Sequence, residues 1–162
     1  MENYTVPANT RIGHVHLKVS DLQRSLDFYC GLLGFELMVK YGTQAAFISA
    51  GGYHHHIGLN TWQSLGQPPA PQNAPGLFHT AILYPERKDL AVILQRLIDN
   101  KYPITGASDH GVSEAVYLDD PDGNGVELYW DRPKEDWPVD DNGDLAMFTK
   151  ALDVQGLLVL AK

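Results

Sequence analysis

Residues 12–35, "IGHVHLKVSDLQRSLDFYCGLLGF", read as a strand followed by a helix, and the same order returns 65 residues further along the chain. Over 12–19 the residues alternate, which sets His14, His16 and Lys18 on one face and Val15, Leu17 and Val19 on the other. Ser20 followed by Gln23 has the form of a capping box, and Leu22, Leu26, Tyr29 and Leu33 then recur at helical spacing. Gly31 and Gly34 are the expected stops of this helix. Three more strands are expected, at 35–41 ("FELMVKY"), 44–50 ("QAAFISA") and 55–62 ("HHIGLNTW").

The proline- and glycine-rich stretch 63–76, "QSLGQPPAPQNAPG", reads as a linker. After it comes a strand at 77–84 ("LFHTAILY"). A helix follows, carried by Leu90, Ile93, Leu94, Leu97 and Ile98 and ended by Asn100 and Pro103. Strands at 104–110, 114–120 and 125–130 complete the copy, with the turn "DPDGNG" between the last two. The order β-α-β-β-β therefore occurs twice, and two copies passing one pattern test say more about fold than any single element. The expected organisation is one domain over 1–137, made of module one (11–62), the linker and module two (77–137). A tail over 138–162 follows, with a short helix around "GDLAMFTKAL" (143–152). A generic α+β sandwich is the other architecture that fits this order.

At 162 residues the chain has enough length for one good core, and 44% hydrophobic with 20% charged residues is a globular balance. A net charge of −8 argues against nucleic acid or an anionic membrane as a partner held by a broad basic field. The single cysteine, Cys30, makes no internal disulfide, which fits a reducing compartment. The opening "MENYTVPANTR" lacks a signal-peptide pattern, and no apolar run is long enough to span a bilayer. The expected location is the cytoplasm.

Three residues hold matching places in the repeat: His14 and His79 near the starts of the two first strands, and Glu127 in the last strand of module two. If the sheets of the two copies face each other, two imidazoles and a carboxylate suit a first-row divalent metal and leave positions open for substrate or oxygen. A lone strand histidine is more often a hydrogen-bonded packing residue; the shared placement is what carries this reading. His16 lies on the His14 face about 7 Å further along, too far to share the ion yet near enough to meet a substrate.

These stretches resemble the vicinal oxygen chelate superfamily, which includes glyoxalase I, bleomycin resistance proteins, fosfomycin-modifying enzymes and extradiol dioxygenases. The matching residues are 12–35, "GLFHTAILYP" (76–85) and "AVYLDDPDGNGVELYW" (115–130), and the likeness extends over 11–137. It is closest to the catechol 2,3-dioxygenase-like branch through "SAGGYHHHIGLNTW", "SDHGVSEAVYLDDPDGNG" and "ALDVQGLL" in the tail. The resemblance implies an α+β fold of two βαβββ modules whose mixed sheet curls around a metal cleft, with His14, His79 and Glu127 as ligands. It implies Fe(II) in the extradiol case and Mn(II), Zn(II) or Ni(II) in others, a catechol-like aromatic diol and O2 as reactants, and a homodimer. Tyr117, ten residues before Glu127, matches a substrate-facing tyrosine of extradiol enzymes, and His110 in "SDH" matches the histidine-bearing segment upstream of it. His110, His16 and Tyr117 are the catalytic candidates. One departure stands out: extradiol enzymes of this branch commonly have four modules, and this chain has two.

Laying "IGLNT" on "VELYW" sets Ile57 against Val126 and Gly58 against Glu127. Glyoxalase I places a fourth carboxylate ligand at that first-module position, and a glycine there counts against its chemistry. If 54–60 is extended, His54, His56 and Asn60 point with Gly58 toward the cleft and His55 points away. His56, Asn60 and Tyr129 are then the substrate-contacting candidates, with Trp62, Phe47 and Trp130 as further aromatic walls. The leading expectation is a metal-dependent extradiol-type dioxygenase. The alternatives are another divalent-metal isomerase, epimerase or thiol transferase, or a metal-free small-molecule binding protein.

Overall fold

The alternation over 12–19 becomes strand β1 (Val15–Lys18), in which Leu17 is buried while His16 and Lys18 are exposed. The structure is a computed structural model that describes residues 3–162. It divides into two units, Met1–Gln67 and Pro68–Lys162, each holding one copy of the repeat.

In module one, β1 leads into helix α1 (Leu22–Leu26). Its cap is Asp21 rather than the expected Ser20. The Asp21 carboxylate sits three residues before Arg24 and accepts its amide at 3.0 Å, a charge-assisted bond. Ser20 instead accepts from the Arg24 guanidinium at 2.8 Å. The helix widens into π-helical turns over Asp27–Leu32, where the Leu33 amide donates to the Phe28 carbonyl five residues back at 2.9 Å. Gly31 lies inside these turns, so the stop is Gly34, at a φ of +89° that favours glycine.

Strands β2 (Glu36–Tyr41), β3 (Ala45–Ser49) and β4 (Ile57–Asn60) form an antiparallel run that brings β4 alongside β1 in parallel, in the sheet order β1-β4-β3-β2. Strand β3 is buried almost throughout, whereas every residue of the outer strand β2 is exposed. Strand β4 starts at Ile57, two residues later than expected, and the three histidines lie in the loop before it.

Module two repeats the plan with β5 (Thr80–Leu83), α2 (Arg87–Asp99), β6 (Gly106–Asp109), β7 (Ser113–Asp119) and β8 (Gly125–Asp131). Helix α2 starts with Asp89 accepting the Glu86 amide at 3.2 Å and ends at Asn100, as expected. It buries Leu90, Ala91, Ile93, Leu94 and Leu97, and each large aliphatic side chain contributes about 1.5–3 kcal/mol.

The registers make the repeat quantitative. β1 pairs Val15 with Ile57 and His16 with Gly58, and β5 pairs Thr80 with Val126 and Ala81 with Glu127. His14 and His79 thus each stand one residue before the first pair, and Gly58 is the counterpart of Glu127. Gly58 also pairs with Phe47, and Glu127 with Tyr117, so Phe47 is the counterpart of Tyr117.

The tail corrects one expectation. Residues 143–149 are turns and irregular chain rather than helix, because Gly143 takes a φ of +84° and Asp140 folds back to accept the amides of Asn142 and Asp144. Instead β9 (Lys150–Ala151) adds to the edge of β6, giving the order β5-β8-β7-β6-β9. The short helix of the tail is α3 (Val154–Leu158), capped by Asp153 and packed on α2 through the fully buried Leu157. Among the described residues, no helix is long and apolar enough to cross a membrane.

Candidate metal centre

Module two brings four candidate side chains into one row. His79, just ahead of β5, places Nε2 2.9 Å from Glu127 Oε2 on β8. The Tyr117 hydroxyl on β7 lies 3.1 Å from the other oxygen, Oε1, and 2.6 Å from His110 Nε2 at the end of β6. The cross-strand pairing of Tyr117 with Glu127 puts them side by side. His79 Nδ1 is buried with no hydrogen-bond partner, so the polar contact of this ring is made at Nε2, toward Glu127.

The donor set suits a divalent metal. An imidazole nitrogen and a carboxylate oxygen 2.9 Å apart have the separation of neighbouring ligands around an ion with bonds of about 2.1 Å. Such a set is acceptable to Fe(II), Mn(II), Zn(II) or Ni(II). Among the described residues no group of three His, Cys, Asp or Glu is assembled, so module two by itself offers a pair. Burial, and then the Glu127 charge, push the Tyr117 hydroxyl up to about 12, so it stays protonated at neutral pH. Tyr129, two residues past Glu127 on β8, is half-buried and raised by burial first and by Asp131 and Glu127 next.

Module one is dressed differently. The His14 ring packs against His55 with centroids 4.4 Å apart, and His55 in turn meets Phe47 at 5.0 Å. His54 and His55 bring their Nδ1 atoms to 2.8 Å. His16 lies edge-on to Phe47 and tilted on Trp62, both at 5.7 Å, and covers Gly58 so closely that a Cβ on Gly58 would stand 2.9 Å from its ring. Burial lowers the pKa of both His16 and His55, with neighbouring imidazoles adding to it, so both rings are neutral at neutral pH.

Here the alternation read over 54–60 fails. Gly51 and Gly52, at φ of +63° and +75°, turn the chain sharply ahead of the histidines, and 54–56 are not extended. It is His55, expected to point away, that meets His14. His56 instead folds back, with Nδ1 3.0 Å from Ser49 Oγ and accepting the Ala50 amide at 3.3 Å. Asn60 is buried and accepts the Trp62 amide at 3.2 Å. Two of the three side chains expected to contact substrate, His56 and Asn60, are therefore engaged within their own module. The "GG" before the histidines was the signal in the sequence for this departure.

The sequence reading also passed over an ion-pair cluster next to His110. Arg132 donates to Asp109 at 2.7 and 3.1 Å and to the buried Glu114 at 3.0 Å, and Arg87 at the start of α2 donates to Glu114 at 2.8 Å. The Arg132 bond is the main reason the Asp109 carboxyl is held below its usual value.

Comparison with known proteins bears on both modules. Residues 11–128 match the family model described as Glyoxalase/Bleomycin resistance protein/Dioxygenase superfamily. A catechol-2,3-dioxygenase of Bacillus subtilis is 43% identical over 95% of this chain, which spans only 53% of that protein, about half its length. The metallothiol transferase FosB of Staphylococcus epidermidis is 28% identical over 74% of this chain and 81% of its own. Among solved structures, a glyoxalase/dioxygenase from Nostoc punctiforme superposes with a TM-score of 0.67 at 22% identity, over 82% of this chain and 99% of that one.

Proposed function

The chain belongs to the glyoxalase/bleomycin resistance protein/dioxygenase superfamily, and from that premise we propose that it is an Fe(II)-dependent extradiol-type dioxygenase that cleaves a catechol-like aromatic with O2. The observation that carries this reading is the His79–Glu127 donor pair at 2.9 Å, backed by Tyr117 and His110. The likeness to a catechol-2,3-dioxygenase over nearly the whole chain supports the substrate class. His79 and Glu127 would hold the metal. His14, which has in module one the register position of His79, is proposed as the third ligand.

A bound divalent ion supplies Lewis acidity that lowers the pKa of a coordinated diol hydroxyl. The rest falls to the chain. His55 packs as a neutral imidazole on His14, the ligand proposed from module one. His16, a catalytic candidate from the sequence, is assigned here with Phe47 and Trp62 to an aromatic wall. His110 has both ring nitrogens engaged, so it acts behind Tyr117, which stays protonated and backs the carboxylate. Tyr129 remains a substrate-contact candidate beside Glu127. We also propose a cytoplasmic location, consistent with one half-buried, unpaired cysteine, and a homodimer.

A second reading has the likeness to FosB in its favour: a metal-dependent group transfer that needs no O2. One experiment separates the two. The protein is reconstituted with Fe(II) without oxygen and mixed with a panel of catechols, with O2 uptake and the yellow ring-fission product followed together. Uptake of one O2 per catechol cleaved is expected. Bound iron with neither uptake nor product across the panel would remove the dioxygenase reading.

A further inference from the structure

We propose that Gly125, by its missing side chain, is the positioning residue that sets the spacing of the His79–Glu127 pair. The inference deepens the metal reading above and rests on it only for what the pair would hold. Gly125 opens β8, and the register that pairs Thr80 with Val126 and Ala81 with Glu127 sets it opposite His79. It lies two residues before Glu127, so a side chain at 125 would leave β8 on the face that carries the carboxylate. A Cβ there would collide with the Phe78 carbonyl oxygen and stand 3.1 Å from His79 Cβ and 3.3 Å from its Cα. A carbonyl belongs to the main chain and cannot swing aside as a side-chain tip does, so residues 78 and 79 would have to back away from β8. His79 Nε2 would then draw off from Glu127 Oε2, which it meets at 2.9 Å.

Neither the backbone nor the plan of the module asks for glycine at 125. Gly123, two residues earlier, takes a left-handed φ of +79°, but Gly125 does not, so an alanine can adopt the same backbone. In module one the residue opposite His14 is His56, whose carbonyl accepts the Val15 amide at 3.0 Å. A full side chain is accommodated there, and its ring folds back to Ser49. His79 also lacks an anchor on its far side, because Nδ1 is buried without a hydrogen-bond partner among the described residues. That bond ordinarily orients a ligand histidine. Without it, the ring is placed by what its backbone rests on, and for His79 that is the bare Gly125.

The test compares wild type with Gly125→Ala as full chains. In the metal-free proteins, with the His79 ring assigned by its loss in His79→Asn, the proton NOE between that ring and the Glu127 side chain is read. It is expected to weaken in Gly125→Ala, since it falls steeply with distance. In anaerobic titration with Co(II), Gly125→Ala is expected to bind about 10- to 100-fold more weakly, the loss typical of a residue that orients a ligand. Leu157→Ala empties the contact of α3 with α2 and is expected to lower the urea midpoint at least as much. It should leave Co(II) affinity unchanged, so a general loss of stability does not mimic the result. A folded Gly125→Ala with either the wild-type NOE or the wild-type affinity overturns the proposal. So does a Gly125→Ala chain that does not fold, because the glycine then serves the sheet rather than the pair. A weakened NOE in a protein whose wild type binds no Co(II) keeps the spacing role and removes the metal reading.

Discussion

Module two carries Glu127 with Tyr117 beside it, and at the same register positions module one carries Gly58 with Phe47. The next strand is exchanged the other way: small Ala81 faces Glu127, whereas His16 faces Gly58 and covers it. Each module thus places one large polar side chain at this cross-strand position, but from opposite strands. One frame presents a carboxylate beside an imidazole in module two and a neutral imidazole among aromatic rings in module one. The equal backbone says what the two halves share; the exchange of large for small says how they came to do different things.

The largest expected effect attacks the charged half. Glu127→Ala or His79→Ala should lower metal affinity by at least about 100-fold, more than a change behind the ligands costs, with the fold retained; metal analysis of the Fe(II)-reconstituted protein checks it. Tyr117→Phe, which gives module two the ring of module one, should lower kcat/KM toward a catechol by about 10-fold. On the other side, Gly58→Ala drives a methyl into the His16 ring and should cost about 1–3 kcal/mol in urea denaturation. Much of that should return in Gly58→Ala/His16→Ala, and no recovery would mean that the two positions are not exchanged as described.

A smaller effect follows from Asp109, whose carboxyl is held low by Arg132. The unfolded chain takes up that proton first. The stabilisation is therefore present above about pH 3.9 and is lost as pH falls through the lower folded value. Between pH 5 and 2.5, Asp109→Asn should show a shallower fall in stability than wild type. Smallest of all, Phe47→Tyr should move stability by less than about 0.5 kcal/mol, because Phe47 is only half-buried.

Much of this was legible in the sequence, and for definite reasons. The eight strands of the repeat follow from alternation bounded by turns, and α2 from Leu90, Leu94 and Leu97 at helical spacing. The match of His14 to His79 and of Gly58 to Glu127 follows from setting the two copies side by side, and the strand registers agree with it. What failed was short or non-periodic. The direction of His55 depends on two left-handed glycines, which a period-two reading runs straight through. Strand β9 is two residues long, too short for any period, and exists because β6 offers it an edge. The tie between His110 and Phe148 spans 38 positions and leaves no local mark.

That same edge leaves the halves unequal in one more respect. The outer margin of β6 is closed by β9, while β2, its counterpart, ends its sheet uncovered, with Leu37, Met38, Val39 and Tyr41 all open to water. Unsatisfied backbone along such a rim is a template on which another strand can zip. The irregular pairing between Leu37 and Val39 and the charge of Lys40 are the features that oppose it, so straightening that kink or neutralising that lysine should make the protein sticky before it makes it unstable.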